Sequence, residues 1–287
     1  MDIHDVRFPL AGSEQPGLKG RLKAGVGVVL ASLMTQRAAS LAEGRVADDL
    51  SLADRLLIAG LVRRHERLGT LDQLNGLHDW LWAGRQALAF HEQAQARFES
   101  WWVERHSAIV SPLYDELSAI PGRYTTLCEI GCGSGLVLAD LERRLPQPKR
   151  LIGLDLSAEQ TERNRRCYRD SSRLSFDSGD AAAWLPAQAQ PGWALFSNAG
   201  VLEYFPEAKL RKMLRYLAGL RPAAFAIVEP VDRSHDLDRQ LASRNYGVER
   251  SWSHNYPYLF TDCGYTLRWQ RELDFAGLRW MLLLATA

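Results

Sequence analysis

The chain has 287 residues, 46% of them hydrophobic and 24% charged, with a formal net charge of +1. That balance belongs to a globular protein of about two domains and excludes a disordered chain, a collagen-like chain and a small disulfide scaffold. The charge is near zero on both sides of Pro121, so no positive field exists for a phosphate backbone, and nucleic acid is not expected as a partner.

In chain order, Lys19, Arg21 and Lys23 precede the apolar run Ala24–Met34, which has the outline of an export signal. The run is 11 residues long, too short to span a bilayer, and Asp2, Asp5 and Glu14 come before it. It reads as a buried helix of a cytoplasmic protein with no membrane segment. Leu52, Leu56, Ala59 and Val62 share one helix face, and Phe90, Ala94, Phe98 and Trp102 repeat every fourth residue. Ser111-Pro112 opens another short helix ending near Ile120-Pro121-Gly122. Residues 1–121 thus read as an N-terminal helical cap.

After Gly122 the pattern alternates. Tyr124–Ile130 reads as a buried strand and Leu136–Leu145 as a helix. Arg150–Leu156 is a second strand, and Ser157 with Gln160 forms a capping box for the next helix. Arg173–Phe176 and Trp193–Ser197 are strands, Glu207–Leu217 a helix and Ala224–Val228 a strand. Tyr265–Phe275 and Leu278–Thr286, separated by Ala276-Gly277, read as a tight hairpin. Residues 122–287 therefore form an α/β domain: a mostly parallel, seven-stranded Rossmann-like sheet with an antiparallel C-terminal hairpin strand. The cysteines Cys128, Cys132, Cys167 and Cys263 make no CxxC pair and have no nearby His, so neither metal nor disulfide is expected.

The first strand ends in Glu129-Ile130-Gly131-Cys132-Gly133-Ser134-Gly135 and runs into a helix. Alternate glycines let the chain turn tightly and expose bare backbone to a ligand, beside the free N–H groups of a helix start. The spacing is GxGxG, not the GxGxxG usual for nicotinamide cofactors, and no GK[ST] follows for triphosphate. Asp155 closes the second strand, where a carboxylate can accept two hydrogen bonds from ribose hydroxyls.

These features resemble the class I S-adenosylmethionine-dependent methyltransferases. The resemblance covers residues 122–287 and is carried by Glu129–Gly135, Leu151–Leu156 with Asp155, Gly179-Asp180-Ala181, and the segment Phe196–Phe205. It implies S-adenosylmethionine as cofactor. It also implies that Gly131, Gly133 and Gly135 pass under the methionine part and ribose, and that Glu129 helps hold the amino group. Asp155 would bind the ribose diol, Asp180 the adenine amino group, Ala181 a ring nitrogen and Asn198 the methionine portion. The residues also admit structural roles: Glu129 as a cap of neighbouring backbone, and Asp180 as the cap of a helix at Ala181.

The segment Phe196–Phe205, at the end of the fourth expected strand, lacks the Asn-Pro-Pro-Tyr run of base and glutamine methylation, and it shows no acidic pair of the metal-dependent catechol type. Glu203 and Tyr204 are candidate catalytic residues there, or simply a helix start beside Pro206. Trp252–Tyr258 is polar and aromatic together, which suits a small-molecule site; His254 and Tyr256 are its candidates for a general base or orienting group, or for a capping role. Trp80, Trp82, Phe90, Phe98, Trp101 and Trp102 read as an apolar lid or as packing of the helical part.

Three functions fit. The first is methyl transfer to a small metabolite. The second is a methyltransferase-like cyclase or lyase, similar to azetidine-2-carboxylate synthases, in which the cofactor itself is the substrate and 5′-methylthioadenosine leaves. The third is a non-catalytic cofactor-binding protein, whose expected mark, a damaged glycine loop or a missing Asp155, is not found. The oligomeric state is not legible.

Overall fold

The structure is a computed structural model that describes residues 18–46 and 50–287. The acidic residues read ahead of the apolar N-terminal run lie outside the described residues. The chain divides into two units: one runs to Phe90 and takes in Asn245–Trp252, the other comprises His91–Arg244 and Ser253–Ala287.

In the first unit, α1 (Leu18–Leu33), α2 (Thr35–Ala42), α3 (Leu52–Leu68) and α4 (Asn75–Ala83) share a core of Leu41, Leu57, Ile58, Leu61, Leu74 and Leu77. α3 starts at a capping box. Ser51 Oγ accepts from Asp54 N at 3.1 Å, and Asp54 Oδ2 accepts from Ser51 N at 3.2 Å. Helices α1 and α3 meet through Gly27 and Gly60, where a Cβ on either residue would collide with the backbone of the other helix. This close approach rotates α3 relative to the sequence expectation: the buried line is Leu57, Ile58, Leu61 and Val62, while Leu52 is exposed. It also corrects the reading of α1 as a buried helix. Ala31 faces the core, but Leu22, Val29 and Leu33 are exposed. Among the described residues no single helix is long and apolar enough to cross a membrane.

α5 (Arg85–His91) leads into the second unit, where α6 (Ala94–Arg97) and a π-helical turn, Phe98–Val103, follow. The four-residue aromatic stripe is thus interrupted, and only Trp102 of it is fully buried. Trp102 packs edge-on against Phe196, and its Nε1–H donates to Asp140 Oδ2 at 2.8 Å, a packing role. α7 (Val110–Ala119) ends the helical stretch.

The sheet then builds in sequence from β1 (Thr126–Ile130), α8 (Leu136–Arg144), β2 (Arg150–Asp155), α9 (Ala158–Cys167), β3 (Leu174–Ser178), α10 (Ala181–Gln188), β4 (Trp193–Asn198), α11 (Glu207–Gly219) and β5 (Ala223–Val231). Two short strands, β6 (Arg244–Tyr246) and β7 (Ser251–Ser253), form a separate two-stranded sheet. α12 (Tyr256–Asp262) precedes the hairpin β8 (Thr266–Phe275) and β9 (Leu278–Thr286). The strand order is β3-β2-β1-β4-β5-β9-β8, parallel up to β5 and antiparallel at β9 and β8. Alternation along β1 sends Leu127 into a core with α7, α8 and Trp102, and Cys128 and Ile130 into the opposite core with α10, α11 and α12. β1 and β4 run parallel, but the strand order reverses between them, so a crevice opens at their C-terminal ends, where open α/β sheets bind ligands.

Candidate functional site

At that crevice β1 gives way to the glycine loop. Gly131, Gly133 and Gly135 all take positive φ, at 70°, 48° and 75°. All three also need to be bare: a Cβ on Gly131 would overlap the Val201 side chain, one on Gly133 would lie 3.0 Å from His91 Cε1, and one on Gly135 2.9 Å from Tyr168 Cε2. The loop is tied to its neighbours by backbone. Gly131 N and Cys132 N donate to Leu154 O at 2.7 and 3.1 Å, and Asn164 Nδ2 donates to Gly133 O at 2.7 Å.

Asp155, at the end of β2, holds the loop by its side chain. Its Oδ2 accepts from Gly133 N at 2.9 Å and its Oδ1 from Ser157 N at 2.9 Å. Each oxygen keeps a second lone pair for a ligand hydroxyl. This use of Ser157 N corrects the expected capping box. Ser157 Oγ accepts from Gln160 N at 3.3 Å, but the Gln160 side chain turns away to Asn164 Oδ1.

Glu129 is buried beneath the loop. It accepts from Leu138 N, while its Oε2 has no hydrogen-bond partner among the described residues. Burial, and next the Asp155 charge, push its carboxyl well above the ordinary range. One oxygen thus caps backbone, and the other is buried without a hydrogen-bond partner among the described residues. Asp180 likewise caps α10, with Oδ1 accepting from Ala182 N at 3.0 Å and Oδ2 3.0 Å from Lys209 Nζ; Ala181 is the first helical residue. Asn198 closes β4, and its Oδ1 lies 2.8 Å from His106 Nδ1.

Beyond β4, Ala199 and Gly200 take positive φ of 66° and 84°, and Leu202–Tyr204 form one 3-10 turn ahead of Pro206. Glu203 is buried and its carboxylate packs over Gly200. Tyr204 is half-buried.

His254 and Tyr256, the candidates for a general base or orienting group, are both buried. His254 is fully buried with both ring nitrogens engaged, Nδ1 with Ser243 Oγ at 2.7 Å and Nε2 with Leu202 O at 3.2 Å. Tyr256, 0% exposed, packs edge-on against it and opens α12. Their place is structural: they brace the post-β4 turn from the α12 side.

Sequence reasoning missed three residues that the fold brings here. His91 lies against the bare face of Gly133. Burial lowers its basicity, opposed by the Asp155 carboxylate. His106 grips Asn198; four residues beyond Trp102, it extends the aromatic stripe by one step. Glu229, a carboxylate inside the apolar run Ala223–Val231, takes Ser197 Oγ at 2.5 Å and the N–H groups of Val201 and Leu202, each at 3.0 Å.

Burial lowers the imidazoles His78, His106 and His254 to about 4 each. A folded value below the ordinary 6.5 means their contribution to stability is present above pH 6.5 and lost as pH falls through about 4. Acid titration of folding should therefore show uptake of up to three protons on unfolding across that window. A flat melting temperature between pH 7 and 4.5 would contradict it.

Residues 127–221 match the family described as "Methyltransferase domain". No curated protein matches the chain significantly. Among solved structures, an S-adenosylmethionine-dependent methyltransferase from Clostridium acetobutylicum aligns with a TM-score of 0.50 and 9% identity, over 69% of this chain and 98% of that one. The N-methyltransferase NodS from Bradyrhizobium japonicum, in complex with S-adenosyl-L-homocysteine, aligns with a TM-score of 0.48 and 16% identity, over 69% and 96%. Residues 127–221 thus carry a methyltransferase domain.

Proposed function

We propose that the protein binds S-adenosylmethionine at the C-terminal ends of β1, β2 and β4 and methylates a small molecule. One observation carries the reading. In a methyltransferase-type domain, a carboxylate at the end of β2 holds a bare glycine loop open at the sheet's reversal point. The residues fit the cofactor. Glycines leave backbone exposed, Glu129 keeps one buried oxygen without a partner for the amino group, and Asp155 keeps lone pairs for the ribose diol. Asp180 and Ala181, at the start of α10, are assigned to the adenine, and Asn198 to the methionine end. When bound, the cofactor supplies an electrophilic methyl carbon: the acceptor forms a bond to it and the C–S bond breaks, its pair staying on sulfur.

The chain's own part is alignment and exclusion of water. With no base required until the acceptor loses a proton, the buried, doubly engaged His254 is consistent with a bracing role. The net charge of +1 favours a small acceptor over a nucleic acid.

A second reading is favoured by the rings of Trp101, Phe275 and Trp280 around His106, beside Asn198. Aromatic faces attract a sulfonium. Such walls also suit a pocket that folds the cofactor on itself, so that its amine nitrogen attacks the γ-carbon, the C–S bond breaks, and the amine loses a proton. Incubation with S-adenosylmethionine alone, followed by mass spectrometry, separates the two. The expected result is S-adenosylhomocysteine only when a metabolite extract is added. Rapid 5′-methylthioadenosine without any acceptor would replace methyl transfer by cyclisation, and binding without turnover under either condition would leave a binding protein.

A further inference from the structure

His106 opens the 3-10 turn His106–Ile109 ahead of α7 and is fully buried. Its Nδ1 faces the Asn198 carbonyl oxygen at 2.8 Å; since that oxygen can only accept, Nδ1 carries the proton and donates. Nε2 then keeps a bare lone pair, and it has no hydrogen-bond partner among the described residues. The ring is walled by Trp280, Phe275 and Trp101, with centroids at 4.7, 5.2 and 6.1 Å. A buried lone pair without a hydrogen-bond partner loses its water and gains nothing in return, so it costs stability. Burial keeps the ring neutral, with its basicity lowered to about 4. A phenyl ring would fill this space without the unsatisfied nitrogen. What the imidazole alone supplies is the bond to Asn198.

We propose that His106 is a positioning residue that fixes the Asn198 amide with its NH2 group turned away from the imidazole, as a donor for the methionine carboxylate of the bound cofactor. This rests on the cofactor reading above and adds to it a residue from outside the sheet. Free rotation of Asn198 about its last side-chain bond would present oxygen or nitrogen equally. The Nδ1–H donor selects one face, so the ligand meets a donor without an ordering cost. Sacrificing the Nε2 lone pair is then a stability cost accepted for binding geometry.

The test compares His106→Phe, His106→Asn and His106→Gln by calorimetry with S-adenosylhomocysteine and by thermal unfolding without ligand, with Asp155→Ala as control. The Phe variant is expected to melt at or above the wild-type temperature yet bind about tenfold more weakly. In the Asn variant the side-chain amide N–H falls near the position of Nδ1, and affinity is expected to return to within about threefold of wild type. The longer Gln side chain reaches the position of Nε2 instead, and its affinity stays low. Unchanged affinity in the Phe variant overturns the proposal. So does equal loss in the Phe and Asn variants, or loss that tracks a lowered melting temperature. A wild-type protein that fails to bind the probe, or an Asp155→Ala variant that binds as well as wild type, overturns the cofactor reading itself and is distinguishable from all three.

Discussion

Asp155→Ala lowers affinity for S-adenosylmethionine about 10- to 150-fold, or about 1.5–3 kcal/mol, while the sheet remains folded. Two effects add. The variant removes the acceptor assigned to the ribose diol, and it frees Gly133 N and Ser157 N, the donors that Asp155 now holds at 2.9 Å each. The glycine loop would then lose the bond that fixes its direction and keep its backbone ties to Leu154, the Asn164 amide and the Tyr168 hydroxyl. Asp155→Asn is not a mild alternative. Both carboxylate oxygens accept from backbone N–H groups, so the amide nitrogen of an Asn must face one of those donors. It should fall nearer to Ala than to wild type. Calorimetry on the two variants checks this, and affinity unchanged in Asp155→Ala would count against the crevice as the cofactor site.

The sheet was legible because parallel strands buried on both faces read as apolar runs closed by turn residues. Tyr124–Ile130, Arg150–Leu156 and Trp193–Ser197 each lie within one or two residues of β1, β2 and β4. The glycine loop was legible for a similar reason: positive φ at Gly131, Gly133 and Gly135 leaves few residue choices. The helical part was less so. Register on α3 is set by the bare contact of Gly27 with Gly60, which a periodicity of apolar side chains cannot reveal. The π-helical turn at Phe98–Val103 breaks a stripe that an ideal helix would continue. His254 was misread because polarity beside aromatic rings suggests a pocket equally with a bracing contact, and only the bonds to Ser243 and Leu202 decide between them. His106 and Glu229 were missed because their partners, Asn198 and the Ser197–Leu202 segment, are 92 and about 30 residues away.

Glu229→Ala should destabilise the protein by about 3–5 kcal/mol, because it leaves Val201 N, Leu202 N and Ser197 Oγ buried without their acceptor. Those groups shape the segment after β4, where Ala199 and Gly200 already hold positive φ. Glu229→Gln should behave quite differently, and the reason is protonation. Burial raises the Glu229 carboxyl to about 8, against an ordinary 4.5. The ionised carboxyl accepts from the Ser197 hydroxyl; protonated at Oε1 it would instead donate to Ser197 Oγ while Oε2 still accepts both backbone N–H groups, and glutamine would reproduce that second pattern with its NH2 and carbonyl. A folded value above the unfolded one means the folded state holds the extra proton. Its contribution is full below about pH 4.5 and is lost as pH rises through about 8. At pH 6 the Gln variant should therefore melt close to wild type, and at pH 9 above it, with the Ala variant below both throughout. Melting curves of the three proteins across that range measure the difference. A Gln variant as damaged as Ala at pH 6 would show that Glu229 works as a carboxylate, holding the post-β4 turn by charge and not by shape.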